Sequence, residues 1–223
     1  MSLRCTTGDY DTLYARWLVN PGALLDRARY QPGQSLLDLC GGTGAVSLEA
    51  LRRGTDPSRV TLLDLNPRCL DGRIEQVKLD VNFSGCPHEL LGRFDVIVCR
   101  QAISYLDLNL NLLWQIRGCL MSDGKFVFNS FREPRWGFKR YEHEGRKFFE
   151  ASAYVGKTVF HVQGSPGLGV DVSRFRWYTP MDLIERLLPI FDVQIREPSP
   201  RTLHWVCERR DRWTGKGQRH GQG

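Results

Sequence analysis

The stretch that decides the fold is residues 35–51, which read SLLDLCGGTGAVSLEAL. The apolar run around Leu36 is typical of a short buried strand, and the residues from Ala45 onward favour a helix. Between them lies a glycine-rich turn, where missing side chains permit unusual backbone angles and the close approach of another molecule. Unpaired N–H groups at the start of the helix lie beside this turn. The stretch therefore predicts a strand, a turn and a helix that suit a nucleotide-like or carboxylate-bearing ligand.

Two other glycine motifs do not fit this turn. A dinucleotide-binding motif needs a third glycine, but counting on from Gly42 and Gly44 gives Ser47 instead. A phosphate-binding P-loop needs a lysine, and the turn has none. Asp38 ends the strand ahead of the glycines, where its carboxylate would repel a pyrophosphate but pair with an ammonium group. A site for an ammonium-bearing ligand and a glycine-rich corner without a ligand are the remaining alternatives.

The acid and the alternating glycines, Asp38-x-Cys40-x-Gly42-x-Gly44, resemble the first motif of class I S-adenosylmethionine-dependent methyltransferases. Cys40 departs from the family pattern, which usually has glycine there, and because cysteine is small we expect a slightly tighter pocket. The resemblance implies an α/β fold with a doubly wound, seven-stranded, mostly parallel Rossmann-like sheet, an N-terminal helical cap and a β-rich lid insertion after the fifth strand. It also implies S-adenosyl-L-methionine as the cofactor, bound at this motif.

The 223 residues are enough for one domain with a substantial core. We expect a helical cap in residues 1–34, a methyltransferase domain in residues 35–208 with a substrate lid at residues 131–176, and a basic tail at residues 209–223. No apolar run approaches the ~18 residues of a membrane span, and the first residues lack the apolar core of a signal peptide. The seven cysteines are scattered without a C-x-x-C pair, which indicates neither a metal site nor a disulfide framework. We therefore expect a cytoplasmic protein with reduced thiols.

The net charge of +6 raises the possibility of a nucleic-acid partner. Residues 209–223, however, hold five basic residues and one acid, so four of the six net charges lie in the tail. The tail is rich in glycine, glutamine and arginine, a composition typical of disorder. Because the body of the chain is nearly neutral, we expect a small-molecule methyl acceptor rather than a nucleic acid as the partner, and no membrane partner.

A second acid ends the second predicted strand, residues 60–64. Asp64 follows the glycine turn by about 20 residues, a position from which a carboxylate can accept hydrogen bonds from both hydroxyls of a ribose. A capping or solvated acid is the alternative role. We assign Asp64 and its neighbour Leu65 to the cofactor site, and Asn66 with Pro67 predicts the start of a helix.

The third predicted strand, residues 74–81, contains another acid near its end. The resemblance implies that the carboxylate of Asp80 accepts a hydrogen bond from the adenine amino group, and that the backbone N–H of Val81 reaches a ring nitrogen. Residues 82–87 are predicted as a loop. The acids that end the first and second strands together make the prediction of a cofactor site much stronger than either would alone.

The fourth predicted strand begins at residues 94–97 and matches the resembled family closely there. Its continuous apolar core is typical of a strand that is buried on both faces. The resemblance implies that residues at the strand end, Cys99, Arg100 and Gln101, contact the methionine part of the cofactor. The loop that follows would line the methyl-acceptor side, which makes Tyr105 a candidate site residue.

Ahead of the first strand, apolar residues recur at helical spacing from Tyr10 to Leu18. An interruption at residues 20–22 divides this segment, and residues 23–30 are predicted to resume as helix. The resemblance implies that such a helix caps the cofactor pocket and presents a tyrosine, which makes Tyr10 and Tyr14 candidates. The alternative is that both rings pack against the sheet.

Residues 130–176 are too many for an ordinary connection and mix aromatic with charged side chains. Runs such as residues 158–162 and 175–178 alternate as strands do. We expect a β-rich lid over the substrate site, with a small aromatic substrate stacked against it. After the lid, residues 191–196 and 202–207 predict the last two strands, which would form a hairpin.

The sulfonium of the cofactor is a reactive electrophile, so holding the acceptor in line with the methyl group can supply most of the rate. An oxygen or nitrogen acceptor can also need a base, and the candidates are Tyr105, His143 and Tyr178, with Glu142 beside them. The sequence predicts methyl transfer to an oxygen or nitrogen of a small molecule, either an aromatic compound or a natural-product intermediate. Two alternatives stay open: an RNA or protein methyltransferase, and a non-catalytic module that binds the cofactor or a protein partner.

Overall fold

The computed structural model describes residues 3–6, 19–131, 137–167, 169–199 and 201–209. Their helices are α1 (Pro21–Ala28), α2 (Ala45–Arg52), α3 (Val81–Ser84), α4 (Leu110–Cys119) and α5 (Pro180–Leu187). Their strands are β1 (Leu3–Thr6), β2 (Leu36–Leu39), β3 (Val60–Asp64), β4 (Glu75–Lys78), β5 (Phe94–Cys99), β6 (Leu120–Phe131), β7 (Gly137–His143), β8 (Arg146–Val155), β9 (Thr158–Ser165), β10 (Gly169–Arg176), β11 (Phe191–Ser199) and β12 (Thr202–Arg209). Within these ranges, no helix has the length and apolar content needed to cross a membrane.

Seven strands form one sheet in the order β11-β12-β6-β5-β2-β3-β4. The strands from β2 to β6 run parallel, whereas β12 is antiparallel to both β6 and β11. The chain passes outward from β2 through β3 and β4, then returns and passes outward on the other side through β5 and β6. The predicted doubly wound, mostly parallel sheet is therefore confirmed. The strand order reverses between β2 and β5, which opens a crevice at the carboxyl ends of these strands.

Both faces of this sheet are covered, which explains why its central strands are continuously apolar. All four residues of β2 are buried. On one face, Trp205 stacks on Phe128 with ring centroids 5.6 Å apart, in a core shared with α4 and α5. On the other face, α1 buries Leu24 and Leu25 in a core shared with Val46 of α2. The helix predicted after the interruption at residues 20–22 is thus present as α1.

A second, antiparallel sheet has the strand order β1-β10-β9-β8-β7. Four of its strands come from the segment after β6, so the predicted β-rich insertion is present. The fifth strand, β1, comes from residues 3–6, which the sequence had placed in a helical cap; Leu3 pairs with Arg174. Four residues carry too little periodicity to indicate a strand, and only pairing with the distant β10 determines it.

The connection between β3 and β4 contradicts one prediction. No helix begins at Asn66; residues 65–74 form turns that lead directly into β4. Leu70 is 99 % exposed, and only Cys69 and Ile74 in this segment are buried. The segment therefore lacks an apolar stripe through which a helix could pack on the sheet.

Candidate active site

A cavity of about 240 Å³ opens at the carboxyl ends of β2, β3 and β5, where the strand order reverses. Its wall brings together most of the residues assigned to the cofactor from the sequence: Asp38, Cys40, Gly42, Asp64, Leu65, Asp80, Val81, Arg100 and Gln101. Tyr105, the candidate for the acceptor side, also lines the cavity. Residues that the sequence did not assign to the site complete the wall, among them Thr43, Arg68 and Asn82. Gly44 and Cys99 are not part of this wall, and Tyr10 and Tyr14 lie outside the described residues.

The turn after β2 needs glycine for two different reasons. Gly44 has a φ of +80°, and a Cβ at this position would lie 2.7 Å from the Sγ of Cys69. Gly42 also has a positive φ, +54°, but a Cβ there would meet no atom within 4 Å. Gly44 is therefore needed for packing beneath the turn, whereas Gly42 exposes bare backbone to the cavity.

Asp38 is a buried acid, and one of its two carboxylate oxygens has no hydrogen-bond partner. Its Oδ2 accepts hydrogen bonds from the backbone N–H and the hydroxyl of Ser47, at 3.0 and 2.9 Å. Its Oδ1 is buried and has no hydrogen-bond partner. Burial raises the pKa of Asp38 to about 6, against the opposing effect of the bonds from Ser47. A buried acceptor beside the cavity is thus available to a donor or a cation that enters it.

Asp64 ties the end of β3 to the glycine turn. Its Oδ2 accepts a hydrogen bond from the backbone N–H of Gly42 at 3.0 Å, and its Oδ1 accepts one from the N–H of Asn66 at 2.7 Å. The side chain is only partly buried, so the carboxylate still faces the cavity. Asp64 therefore positions the turn and remains accessible to a ligand.

Asp80 caps the short helix α3, which begins within the segment predicted to end as strand and continue as loop. Its Oδ1 accepts a hydrogen bond from the N–H of Asn82 at 3.0 Å. The Asn82 side chain joins this corner to the loop after β5, because it donates to the Tyr105 carbonyl at 2.8 Å and accepts from the Asp107 N–H at 2.6 Å. Sequence reasoning missed Asn82, since only the fold brings these two loops together.

Cys40 and Cys99 lie side by side at the ends of β2 and β5. The thiol of Cys40 is hydrogen-bonded to that of Cys99, and this bond together with burial holds the pKa of Cys40 well above its usual range. Cys99 is fully buried, so it supports the wall and does not contact the cavity as the sequence implied. Cys40 adopts a φ of +58°, a left-handed conformation that glycine would adopt without strain.

The two residues after β5 are held by backbone and side-chain contacts from other elements. The guanidinium of Arg100 donates to the Val19 carbonyl at 2.6 Å. Gln101 has a φ of +61°, and its N–H donates to the side chain of Asn129, which is 1 % exposed, at 2.8 Å. Both residues line the cavity, and Asn129 is a supporting residue that the sequence did not indicate.

The three candidate bases occupy different places. Tyr105 lines the cavity, and its ring centroid lies 5.4 Å from that of Phe175 in β10. His143 ends the edge strand β7 beside a turn and is not part of the cavity wall. The structure therefore retains Tyr105 and does not bring His143 to the described cavity.

Tyr178 is a buried structural residue and does not line the cavity. Its hydroxyl donates to the Leu106 carbonyl at 2.9 Å and accepts from the Leu108 N–H at 3.2 Å. The side chain is 3 % exposed, and burial raises its pKa. Because backbone groups use its donor and an acceptor, the assignment of Tyr178 as a base does not agree with its geometry.

A profile of the methyltransferase domain family matches residues 14–156 of the chain. No curated protein matches the sequence significantly. Among solved structures, the chain is similar to the sugar N-methyltransferase KedS8 from Streptoalloteichus sp., with 17% identity, a TM-score of 0.63, and coverage of 93% of this chain and 95% of that chain. It is also similar to the CcbJ methyltransferase from Streptomyces caelestis, with 18% identity, a TM-score of 0.69, and coverage of 92% and 98%.

A third similar structure is that of SAM-bound CalS10, an amino pentose methyltransferase from Micromonospora echinaspora, with 20% identity, a TM-score of 0.64, and coverage of 90% and 96%. At these identities the solved structures establish the fold, and the family profile spans more than half of the chain. The chain therefore belongs to the methyltransferase domain family and is a class I S-adenosylmethionine-dependent methyltransferase, as its first motif indicated.

Proposed function

We propose that the protein transfers the methyl group of S-adenosyl-L-methionine to an oxygen or nitrogen of a small-molecule acceptor. The observation that carries this proposal is the placement of two acids, Asp38 and Asp64, at the ends of adjacent parallel strands on the wall of one cavity. The bare backbone of Gly42 lies between them in the chain and is hydrogen-bonded to Asp64. This arrangement offers negative charge and close backbone approach within one site.

The residues present fit the cofactor. The unpartnered Oδ1 of Asp38 suits a cationic donor such as an ammonium group. The partly exposed carboxylate of Asp64 suits the two hydroxyls of a ribose. Asp80 and Val81, on the same wall, would hold the adenine, and the strand-end residues Arg100 and Gln101 would lie beside the amino-acid part.

The cofactor supplies a methyl group on a sulfonium, which is already an electrophile. The protein then has to orient the acceptor and exclude water, and orientation alone can supply about 7–11 kcal/mol of the barrier. Tyr105 is suited to this task because it lines the cavity and its ring contacts the second sheet. Its hydroxyl is the group we assign to holding the acceptor by a hydrogen bond or, as the tyrosinate, to receiving the acceptor's proton.

The similarity to a sugar N-methyltransferase and to an amino pentose methyltransferase supports a small-molecule acceptor. The near-neutral charge of the chain before its basic tail supports the same class of partner. Analysis of the methylated product distinguishes transfer to oxygen from transfer to nitrogen.

The first experiment is calorimetric titration of the full chain with S-adenosylmethionine and S-adenosylhomocysteine. We expect micromolar-range binding by the wild type and a loss of affinity of about 100-fold or more in Asp64→Ala, since hydrogen bonds to a charged group are lost. Asp123→Ala, which removes an exposed acid of β6, is the matched control and should bind as the wild type does. A wild type that binds neither compound would contradict the proposal.

A further inference from the structure

Two residues of the cavity wall hold a backbone conformation that favours glycine, although neither is glycine. Among the described residues, a positive φ occurs at four positions other than glycine, which are Arg29, Cys40, Gln101 and Glu144. Arg29 ends α1 and Glu144 lies in the turn between β7 and β8, where such angles are common. Cys40 and Gln101 instead follow strands of the seven-stranded sheet and line the cavity. Strain of this kind persists only where the surrounding structure holds it, and it clusters at functional sites.

Gln101 is held in this conformation by a buried side chain of the neighbouring strand. Its N–H donates a hydrogen bond to Oδ1 of Asn129 at 2.8 Å. Asn129 lies near the carboxyl end of β6 and is 1 % exposed, so its side chain has little contact with water. β6 pairs directly with β5, whose last residue, Cys99, lies opposite Phe128. The central sheet therefore fixes Asn129 beside the first residues that follow β5.

Gln101 begins the part of the cavity wall that follows β5. We call residues 101–106 the wall segment, and its residues on the cavity are Gln101, Ala102, Tyr105 and Leu106. The far end of the wall segment is fixed by the side chains of Asn82 and Tyr178, which bond to backbone carbonyls within it. The bond between Gln101 and Asn129 fixes its near end. The position of Gln101 in the cavity thus depends on Asn129.

The amide of Asn129 directs its oxygen to Gln101 and leaves its nitrogen unused. In the register of β6 and β12, Asn129 lies directly opposite His204, which is 2 % exposed. Nδ2 of Asn129 and Nδ1 of His204 are buried and have no hydrogen-bond partner among the described residues. Burial and the nearby Arg27 lower the pKa of His204 to about 4, so its ring is neutral near pH 7. Because unsatisfied polar groups are unfavourable in a core, the amide indicates a role for its oxygen beyond packing.

We propose that Asn129 is a positioning residue of the cofactor site, which holds Gln101 in its left-handed conformation so that the Gln101 side chain meets the amino-acid part of S-adenosylmethionine. This inference rests on the proposed function, in which Gln101 lies beside that part of the cofactor. Glycine would adopt the same backbone angles without strain, but it has no side chain to offer. Glutamine supplies the side chain, and the bond to Asn129 offsets the strain that it brings.

The test is a double-mutant cycle on the full chain, with calorimetric titration of S-adenosylhomocysteine as the readout. Asn129→Leu removes the acceptor oxygen and keeps a similar side-chain shape, and it should weaken binding about tenfold. Gln101→Gly removes the side chain that is positioned and should weaken binding by a similar factor. Asn129→Leu should then cause no further loss in the Gln101→Gly background, because glycine needs no support. Equal losses in both backgrounds would overturn the inference, since Asn129 would then act independently of Gln101.

Ser130→Ala is the matched control. Ser130 follows Asn129 in β6 and points to the opposite face, where its Oγ accepts a hydrogen bond from Nε1 of Trp205 at 2.8 Å. The control should lower the urea midpoint, because a buried donor loses its partner, and should bind S-adenosylhomocysteine as the wild type does. An Asn129→Leu protein that behaves in the same way, with a lowered midpoint and unchanged binding, would make Asn129 purely structural and overturn the inference.

Asn129→Asp is the conservative variant, because a carboxylate keeps an oxygen for the N–H of Gln101. It should bind S-adenosylhomocysteine nearly as tightly as the wild type, and a loss as large as that of Asn129→Leu would overturn the inference. Asn129→Ala enters the same cycle if the leucine variant does not fold. These outcomes leave the proposed function standing, whereas a wild type that does not bind S-adenosylhomocysteine would contradict the proposed function and this inference with it.

Discussion

At the scale of single residues, Asp38 combines burial with one unused carboxylate oxygen. Its pKa of about 6 lies above the ordinary 3.8, so the folded protein holds a proton there that the unfolded chain has released. The contribution of this residue to stability therefore falls as the pH rises from about 4 to about 6. Cofactor binding has the opposite dependence, because a cationic group is attracted only by the ionised carboxylate.

The prediction is that the affinity for S-adenosylmethionine rises as the pH is raised from about 5 to about 7 and then levels off. Calorimetry at a series of pH values measures it. Asp38→Asn cannot ionise, so we expect weaker binding that no longer depends on pH in this range. If the wild type binds equally well at both ends of the range, Asp38 does not contact a cationic group of the cofactor.

The backbone conformation of Cys40 leads to a second prediction at the scale of single residues. It holds a φ of +58°, which is unfavourable for any residue with a side chain and most unfavourable for a β-branched one. Cys40→Gly should change the free energy of unfolding by less than about 1 kcal/mol, whereas Cys40→Val should lower it by more than about 2 kcal/mol. Urea denaturation of the two variants measures the difference.

The matched control is Cys207, which is fully buried in the regular strand β12. There the order should reverse, because valine suits a strand and glycine leaves a void. The same order at both positions would show that the backbone conformation of Cys40 is not what decides its tolerance.

At the scale of elements, the two glycines of the turn between β2 and α2 have different roles: Gly44 serves packing and Gly42 serves ligand binding. Gly44→Ala brings a Cβ within 2.9 Å of the Cβ of Cys69, in addition to its positive φ. In Gly42→Ala the only unfavourable effect is the positive φ, because the new Cβ would meet no atom within 4 Å. The first change acts on the buried side of the turn and the second on the cavity side.

We expect Gly44→Ala to lower the free energy of unfolding by about 2 kcal/mol or more, from overpacking together with the strained backbone. Gly42→Ala should cost about 1 kcal/mol in stability but weaken cofactor binding, because its methyl group enters the cavity. Urea denaturation and calorimetry of both variants separate the two effects. Equal losses of stability in both variants would contradict this division of roles.

At the scale of the whole molecule, Tyr178 joins the second sheet to the methyltransferase sheet. It follows β10, and its hydroxyl bonds to backbone groups of Leu106 and Leu108 in the segment before α4. Nearby, the guanidinium of Arg176 lies 3.6 Å from the carboxylate of Asp107. This junction ties the end of β10 to the segment that follows β5.

Tyr178→Phe should lower the free energy of unfolding by about 1–3 kcal/mol, because a buried carbonyl and N–H lose their partner. Binding of S-adenosylhomocysteine should not change, since the side chain is not part of the cavity wall. Denaturation and calorimetry measure both quantities. Unchanged stability combined with a large loss of turnover would assign Tyr178 to catalysis after all.

The sequence by itself determined the parts of this protein that depend on local pattern. The apolar run with Asp38, the glycines after it and the acid at Asp64 predicted the parallel strands, the turn and the cofactor crevice. These signals are local because burial on both faces of a strand and positive φ in a turn restrict residue types directly. The spacing of a strand, a helix and the next strand then limits the topology to a few arrangements.

Only the tertiary structure decided the features that depend on distant contacts. Pairing with β10 makes residues 3–6 a strand, and the lack of an apolar stripe in residues 65–74 leaves Asn66 in a turn. The hydroxyl of Tyr178 meets backbone groups 70 and 72 residues away in the chain, which removes it from the candidate bases. The second sheet shows the same limit. Alternation predicted its strands, whereas contacts with the rest of the fold, such as the one that joins Phe175 to Tyr105, determine which of its sides faces inward. A strand pattern specifies two faces, and the rest of the fold determines which one is buried.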